Sequence, residues 1–220
     1  MLVHSRNWAR REMPGGRCDA EADVAPDASI TSETRAQRLG HRGAIIWLTG
    51  LSGSGKSTLA TAAEKRLFAA GIVTAVLDGD VLRTGLSSDL GFAAGERKEN
   101  VRRAGEAALI LAEAGVLAIA ALISPFRDDR ARVAKRAHEC GVTFAEVYVN
   151  APIDECERRD PKSLYKKARV GMIPLFTGIH SCYEAPHAPD LELHTDQEPP
   201  CRSIEKLAAF ALELARPRRV

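Results

Sequence analysis

Eight residues, Gly50-Leu51-Ser52-Gly53-Ser54-Gly55-Lys56-Ser57, fit the spacing G-x-x-x-x-G-K-[ST], and each type has a use if the ligand is a polyphosphate. Glycines let successive backbone N–H groups curl around phosphate oxygens, and a helix N-terminus adds positive potential at the same place. Lys56 is placed to reach β- and γ-phosphates, with the Ser57 hydroxyl a ligand for Mg²⁺. The spacing is not the G-x-G-x-x-G of dinucleotide sites, in which a lysine has no part. A glycine-rich turn that binds nothing is the alternative, and the context opposes it: an apolar run precedes the motif and an amphipathic one follows.

Motors, switches and metabolite kinases share this loop, so a second acid must separate them. The apolar run Val116 to Ile123 passes into Ser124-Pro125-Phe126-Arg127 without a carboxylate. Acids close the second apolar run instead, as Asp78-Gly79-Asp80. At the carboxyl end of a strand, Asp80 could take a proton from an acceptor hydroxyl or hold Mg²⁺ through water. Two solvated acids in a turn remain the other reading. Then come Arg83, Phe92, Arg97, Asn100, Arg102 and Arg103. Arginines fork onto phosphate or sulfate oxygens, Asn100 can bond a base edge and Phe92 can stack on it. A solvated helix face and a core phenylalanine would produce the same residues.

The elements that must position these groups follow from periodicity. Strands are expected at Ala44 to Thr49, Val73 to Leu77, Val116 to Ile123 and Phe144 to Val149, with a weaker one at Leu191 to His194. Helical patterns run from about Lys56 to Ala70, Glu96 to Ala114, Asp128 to Cys140 and Ser203 to Ala215. This alternation predicts an α/β fold of three layers, a mostly parallel sheet with helices on both faces. Residues 31–220 form the expected P-loop domain, and 1–30, with Gly, Pro and Asp in no period, a poorly ordered extension. Between Asp160 and Pro189 the pattern breaks into Pro, Gly, Lys and aromatic residues, as in a lid.

With 220 residues, 45% hydrophobic and 27% charged, and a net charge of +2, the chain reads as one globular domain without a nucleic-acid or membrane partner. No stretch approaches the ~18 apolar residues of a membrane span. Cys18, Cys140, Cys156, Cys182 and Cys201 are scattered and odd in number, which fits neither a disulfide framework nor a zinc site and favours the cytoplasm. His180, His187 and His194 recur every seven residues, but Pro186 and Pro189 break any helix that would align them as ligands.

Nine ordered blocks then carry a resemblance. They are His41-Arg42-Gly43; Trp47-Leu48-Thr49 running through the phosphate loop to Thr58; Asp78-Gly79-Asp80 with Arg83; Asp89-Leu90-Gly91-Phe92 with Arg97 and Asn100; and Ile123-Ser124-Pro125-Phe126-Arg127. Beyond these lie Cys156-Glu157-Arg158-Arg159-Asp160-Pro161-Lys162, Leu164-Tyr165-Lys166-Lys167-Ala168-Arg169, Phe176-Thr177-Gly178-Ile179 and Tyr183-Glu184-Ala185-Pro186. From about Ile30 to the last helix the chain resembles the adenylylsulfate kinases. That resemblance implies transfer of phosphate from ATP, with Mg²⁺, to the ribose 3′-hydroxyl of adenylylsulfate, giving PAPS and ADP in sulfate assimilation. It implies Gly50 through Thr58 and Arg159 for ATP, and Asp80, Arg83, Phe92, Arg97, Asn100, Ile123, Ser124, Lys162 and Phe176 for adenylylsulfate. Lys56, Asp80 and Ser124 become the catalytic candidates. Phe92 and Phe176 would sandwich the adenine, and Ser124 would be the family's phosphoserine, although Asp80 beside Mg·ATP also serves a single direct transfer. A homodimer is left open.

The departures are Glu96 where the family has Asp, Ser163 where it has Gly, His180 and Cys182 where it tends to have Asp and Pro, and Met172 and Pro174. If position 163 needs a positive φ, serine costs about 1 kcal/mol there. Another metabolite kinase of the same fold, or a nucleotide-sensing domain of poor turnover, are the competing readings.

Overall fold

The computed structural model describes residues 29–217. Thr31–Val220 make one compact unit. The extension expected at 1–30 lies, but for its last two residues, outside the described residues. In chain order the elements are α1 (Ser32–Leu39), β1 (Ala44–Thr49), α2 (Lys56–Ala69), β2 (Thr74–Asp78), α3 (Gly79–Leu82), α4 (Ala94–Glu113), β3 (Leu117–Ala121), α5 (Arg127–Glu139), β4 (Thr143–Asn150), α6 (Ile153–Arg159), α7 (Leu164–Arg169), β5 (Leu191–His194) and α8 (Pro200–Ala215).

The five strands form one sheet in the order β2-β3-β1-β4-β5, every pair parallel. Strand β1 is central and wholly buried, so its alternation serves two cores rather than one core and solvent. Ala44, Ile46 and Leu48 pack with Leu59, Ala63 and Leu67 of α2 and Leu207 and Ala211 of α8. Ile45 and Trp47 face the other way, toward Val101, Ala104 and Ala108 of α4 and Val133 and Ala137 of α5. These two cores are the three layers expected. A third, smaller cluster of Ala151, Cys156, Tyr165, Ala168 and Phe176 ties the 160–189 segment to the body.

The His41-Arg42-Gly43 block is structural. Buried His41 accepts the Val73 amide through Nε2 at 3.1 Å, Arg42 pairs with Glu33, and a Cβ at Gly43 would lie 2.0 Å from the Ala112 carbonyl oxygen. These contacts fix how the chain enters β1 and therefore where β1 delivers the phosphate loop.

The 160–189 segment is not irregular throughout, because α7 lies inside it. Six residues are too few to display a helical period. What holds this turn is local: the Asp160 carboxylate accepts the amides of Tyr165 and Lys166, both at 3.1 Å, while Tyr165 and Ala168 are buried beneath it. Helices α1, α3 and α6, eight residues or fewer each, escape periodicity for the same reason.

Candidate active site

The loop between β1 and α2 has the backbone its glycines permit. Gly50, Gly53 and Gly55 have φ of 153°, 77° and 105°, and a Cβ would come within 2.4 Å of the Val149 carbonyl oxygen at Gly50 and 2.8 Å of that of Cys156 at Gly53. At Gly50 and Gly53 side chains are excluded both by backbone conformation and by space, and at Gly55 by conformation. Lys56 is 8% exposed and its ammonium donates to the carbonyls of Gly50 (2.9 Å) and Leu51 (2.7 Å). Burial lowers its pKa to about 8. Ser57 and Thr58 are exposed on the first turn of α2.

The Ser57 hydroxyl donates to Asp78 at 2.5 Å, so the acid that ends β2 meets the phosphate loop although β3 lies between β2 and β1. Asp78 also caps α3, accepting the Asp80 amide at 2.9 Å. Asp80 is ion-paired with Lys162 from the 160–189 segment, and this contact raises the Lys162 pKa. Asp78 and Asp80 thus have separate partners: one faces Ser57, the other Lys162 of the 160–189 segment. Sequence reasoning singled out Asp80, and the separate place of Asp78 was not readable from the motif.

Around the acceptor candidates the arginines are ordered by backbone carbonyls. Arg83 donates to Leu90 (3.2 Å) and Gly91 (2.8 Å) and lies 4.4 Å from the centre of the Phe92 ring. Phe92 is 61% exposed, so it is not a core residue. Arg97 donates to the Phe92 carbonyl at 2.8 Å, to Thr177 Oγ1 at 2.8 Å, to Ser181 Oγ at 2.9 Å and to the Leu175 carbonyl. It therefore joins the Phe92 loop to the segment that carries Phe176. Phe176 itself is 8% exposed, edge-on to Tyr165 with ring centres 5.0 Å apart. Asn100 is buried and its Oδ1 has no hydrogen-bond partner, an acceptor whose desolvation is uncompensated without a ligand. Arg102 and Arg103 instead pair with Glu99, and Arg103 also with Asp89. Glu96 accepts the amides of Gly91 (2.9 Å) and Ala93 (2.8 Å), bonds that hold its pKa down.

Ser124 lies past the end of β3 with φ 38° and is 3% exposed. Its Oγ accepts the Trp47 indole N–H at 3.0 Å, and its carbonyl accepts Arg130 at 2.7 Å. Among the described residues no carboxylate or imidazole is hydrogen-bonded to that hydroxyl. The neighbouring Ile123 carbonyl accepts Thr49 Oγ1 at 2.8 Å. On the nucleotide side, Arg159 reaches the Gly53 carbonyl at 3.4 Å and Thr195 at Oγ1 (3.1 Å) and the carbonyl (2.7 Å). Thr195 and Tyr165, both bonded to the phosphate loop, were missed as site residues. Tyr165 stood within a noted block without a role, and nothing in the residues near Thr195 marks it.

The family model described as adenylylsulphate kinase matches residues 42–194. The adenylyl-sulfate kinase of Bacillus pumilus is 50% identical over 190 residues, 86% of this chain and 95% of its own. The structure of a Mycobacterium tuberculosis APS kinase in complex with AMPPNP and APS superposes with a TM-score of 0.73 at 46% identity, covering 79% of this chain and 97% of that one. A gluconokinase from Sinorhizobium meliloti, 17% identical over 79% of this chain and 93% of its own, matches with a TM-score of 0.52 and shares the fold alone. With a kinase cradle, a second acid at its mouth and half its residues shared with such relatives along most of its length, the chain belongs to the adenylylsulfate kinase family.

Proposed function

We propose that this enzyme transfers the γ-phosphoryl group of Mg·ATP to the 3′-hydroxyl of adenylylsulfate, releasing ADP and PAPS, the step that completes sulfate activation. The observation that carries the reading is the Ser57–Asp78 bond, which sets the acid-bearing turn of β2 against the phosphate loop so that donor and acceptor can meet at one sheet edge.

The donor-side roles follow from the loop. Its N–H groups and the N-terminus of α2 bind the phosphates, and Lys56 balances the charge that moves toward the β–γ bridge. Arg159 stands over the ATP side, bonded to Gly53 and Thr195. Ser57 and Asp78 offer the hard oxygen donors that Mg²⁺ takes in small number, most of its shell being water and phosphate. Bound there, the ion would neutralise phosphate charge, with Ser57 its direct ligand and Asp78 orienting that hydroxyl.

On the acceptor side, Asn100 offers its unpaired Oδ1 to the adenine amino group, and the exposed Phe92 ring and Phe176 sandwich the adenine. Arg83 and Arg97 bind the anionic sulfate and phosphate, Ile123 and Ser124 line the pocket floor, and Lys162 faces the anionic group from the lid. Asp80 accepts the 3′-hydroxyl proton as the oxygen attacks phosphorus, once substrate parts it from Lys162. The reaction is assigned to the cytoplasm; a homodimer is part of the proposal, to be checked by light scattering. Incubation with γ-labelled ATP and adenylylsulfate tests the chemistry: label on the ribose 3′-oxygen is expected, whereas label released only as inorganic phosphate would refute it.

A further inference from the structure

The phosphate loop is held from outside, carbonyl by carbonyl. Lys56 takes the oxygens of Gly50 and Leu51. The next three belong to side chains from distant parts of the chain: Tyr165 Oη donates to Ser52 O at 2.9 Å, Arg159 Nη1 to Gly53 O at 3.4 Å and Thr195 Oγ1 to Ser54 O at 2.8 Å. Tyr165 is fully buried at the start of α7, and Thr195 follows β5, its amide fixed to Asn150 O at 3.0 Å. In each peptide unit the carbonyl and the following N–H point in opposite directions. Bonds that turn the carbonyls of Ser52 and Ser54 outward therefore turn the N–H groups of Gly53 and Gly55 inward, toward the concavity where phosphate oxygens must lie, while the Ser54 N–H donates to the Leu51 carbonyl at 3.2 Å. A loop with three glycines at positive φ loses more freedom than any other on ordering, and binding is tighter when that cost is met before the ligand arrives.

We infer that Tyr165 and Thr195 are positioning residues for the nucleotide, pre-setting the loop's N–H groups for the triphosphate, with Tyr165 making the cradle answer to the segment that carries the lid. This deepens the kinase reading and rests on it, since it takes the loop to be the ATP site. Neither residue touches the reacting atoms; each acts through the loop backbone, and Thr195 also by seating Arg159.

The test is titration with a non-hydrolysable ATP analogue and, separately, with adenylylsulfate, using the intact chain and its Tyr165→Phe, Thr195→Val and Thr195→Ser variants. Loss of one such hydrogen bond should weaken the analogue by about tenfold. Adenylylsulfate affinity should stay within about twofold, and Thr195→Ser, which keeps the hydroxyl, should restore tight binding. Equal loss for both ligands, or a Thr195→Ser as weak as Thr195→Val, would overturn the inference and leave a packing role. Unchanged analogue affinity in both Tyr165→Phe and Thr195→Val would also overturn it. Melting curves without nucleotide show which variants fold, and the Thr195 pair stands if Tyr165→Phe does not. Lys56→Ala separates the two levels: if it still binds the analogue like the parent, the ATP-site reading itself fails, whereas its loss beside intact binding in the other variants sinks only this inference.

Discussion

Lys56 and Ser124 are both buried polar groups at the ligand edge of the sheet, and burial gives them different chemistry. For Lys56 the loss of water lowers the pKa from 10.5 to about 8, so the charge needed for phosphate binding is present at pH 7 and fades above pH 8. Bound phosphates would raise that pKa again. ATP affinity should therefore fall as pH rises through about 8, with proton uptake on binding above it, measurable by titration in buffers of different ionisation enthalpy; affinity flat to pH 9.5 would contradict this. The same shift sets a sign for stability. A lysine whose folded pKa lies below its unfolded value opposes folding at low pH, and the penalty is relieved between pH 8 and 10.5, where the unfolded chain binds more protons. Among the described residues no base is hydrogen-bonded to the Ser124 hydroxyl, whose Oγ accepts the Trp47 N–H at 3.0 Å. Ser124→Ala should keep measurable turnover while losing about 1–3 kcal/mol of stability from the orphaned indole N–H. Asp80→Ala should cost turnover far more. Label from γ-labelled ATP that appears on Ser124 and is chased into product at the rate of turnover would defeat direct transfer.

At the scale of elements, the 160–189 segment carries a short helix set on an unusual residue. Ser163 precedes α7 with φ 53° and ψ 30°, the left-handed conformation in which a Cβ costs about 1 kcal/mol. Glycine would relieve this but also gain about 0.5–1 kcal/mol of freedom in the unfolded chain. Ser163→Gly should thus leave the melting temperature nearly unchanged and raise turnover where lid opening limits it; a fall in turnover would show that serine's stiffness is useful. The main strands and long helices were legible because each carries a sustained pattern: β1 is a short apolar run buried between two cores and α4 runs for 20 residues. Their ends were read to within a few residues, as with Glu96 for a helix that begins at Ala94. Helix α7 was not legible, because its stability comes from the Asp160 cap and from Tyr165 beneath it. The candidate site divides in the same way. The glycines and Lys56 are readable locally, since the loop's own backbone demands them. Asp78 opposite Ser57, and Thr195 on the Ser54 carbonyl 141 residues away, exist only once the parallel sheet has brought strand ends together.

The whole molecule places two sets of groups at the carboxyl edge of one five-stranded sheet, the phosphate loop after β1 and the arginines and Phe92 around α3 and the start of α4, and the 160–189 segment is bonded to the first through Tyr165 and to the second through Lys162 and Arg97. No described helix is long and apolar enough to cross a membrane. On the proposed reading two ligands meet at that sheet edge, and Arg83 and Arg97, one on each side of Phe92 in the sequence, suit an acceptor whose anionic oxygens extend one group further from the ribose than those of AMP. Charge-assisted bonds to a sulfate should be worth at least about tenfold in selectivity. The most direct test is ADP release from Mg·ATP with adenylylsulfate, with AMP and with no acceptor: the account predicts rapid release that depends on adenylylsulfate, and comparable release with AMP or without an acceptor would contradict it.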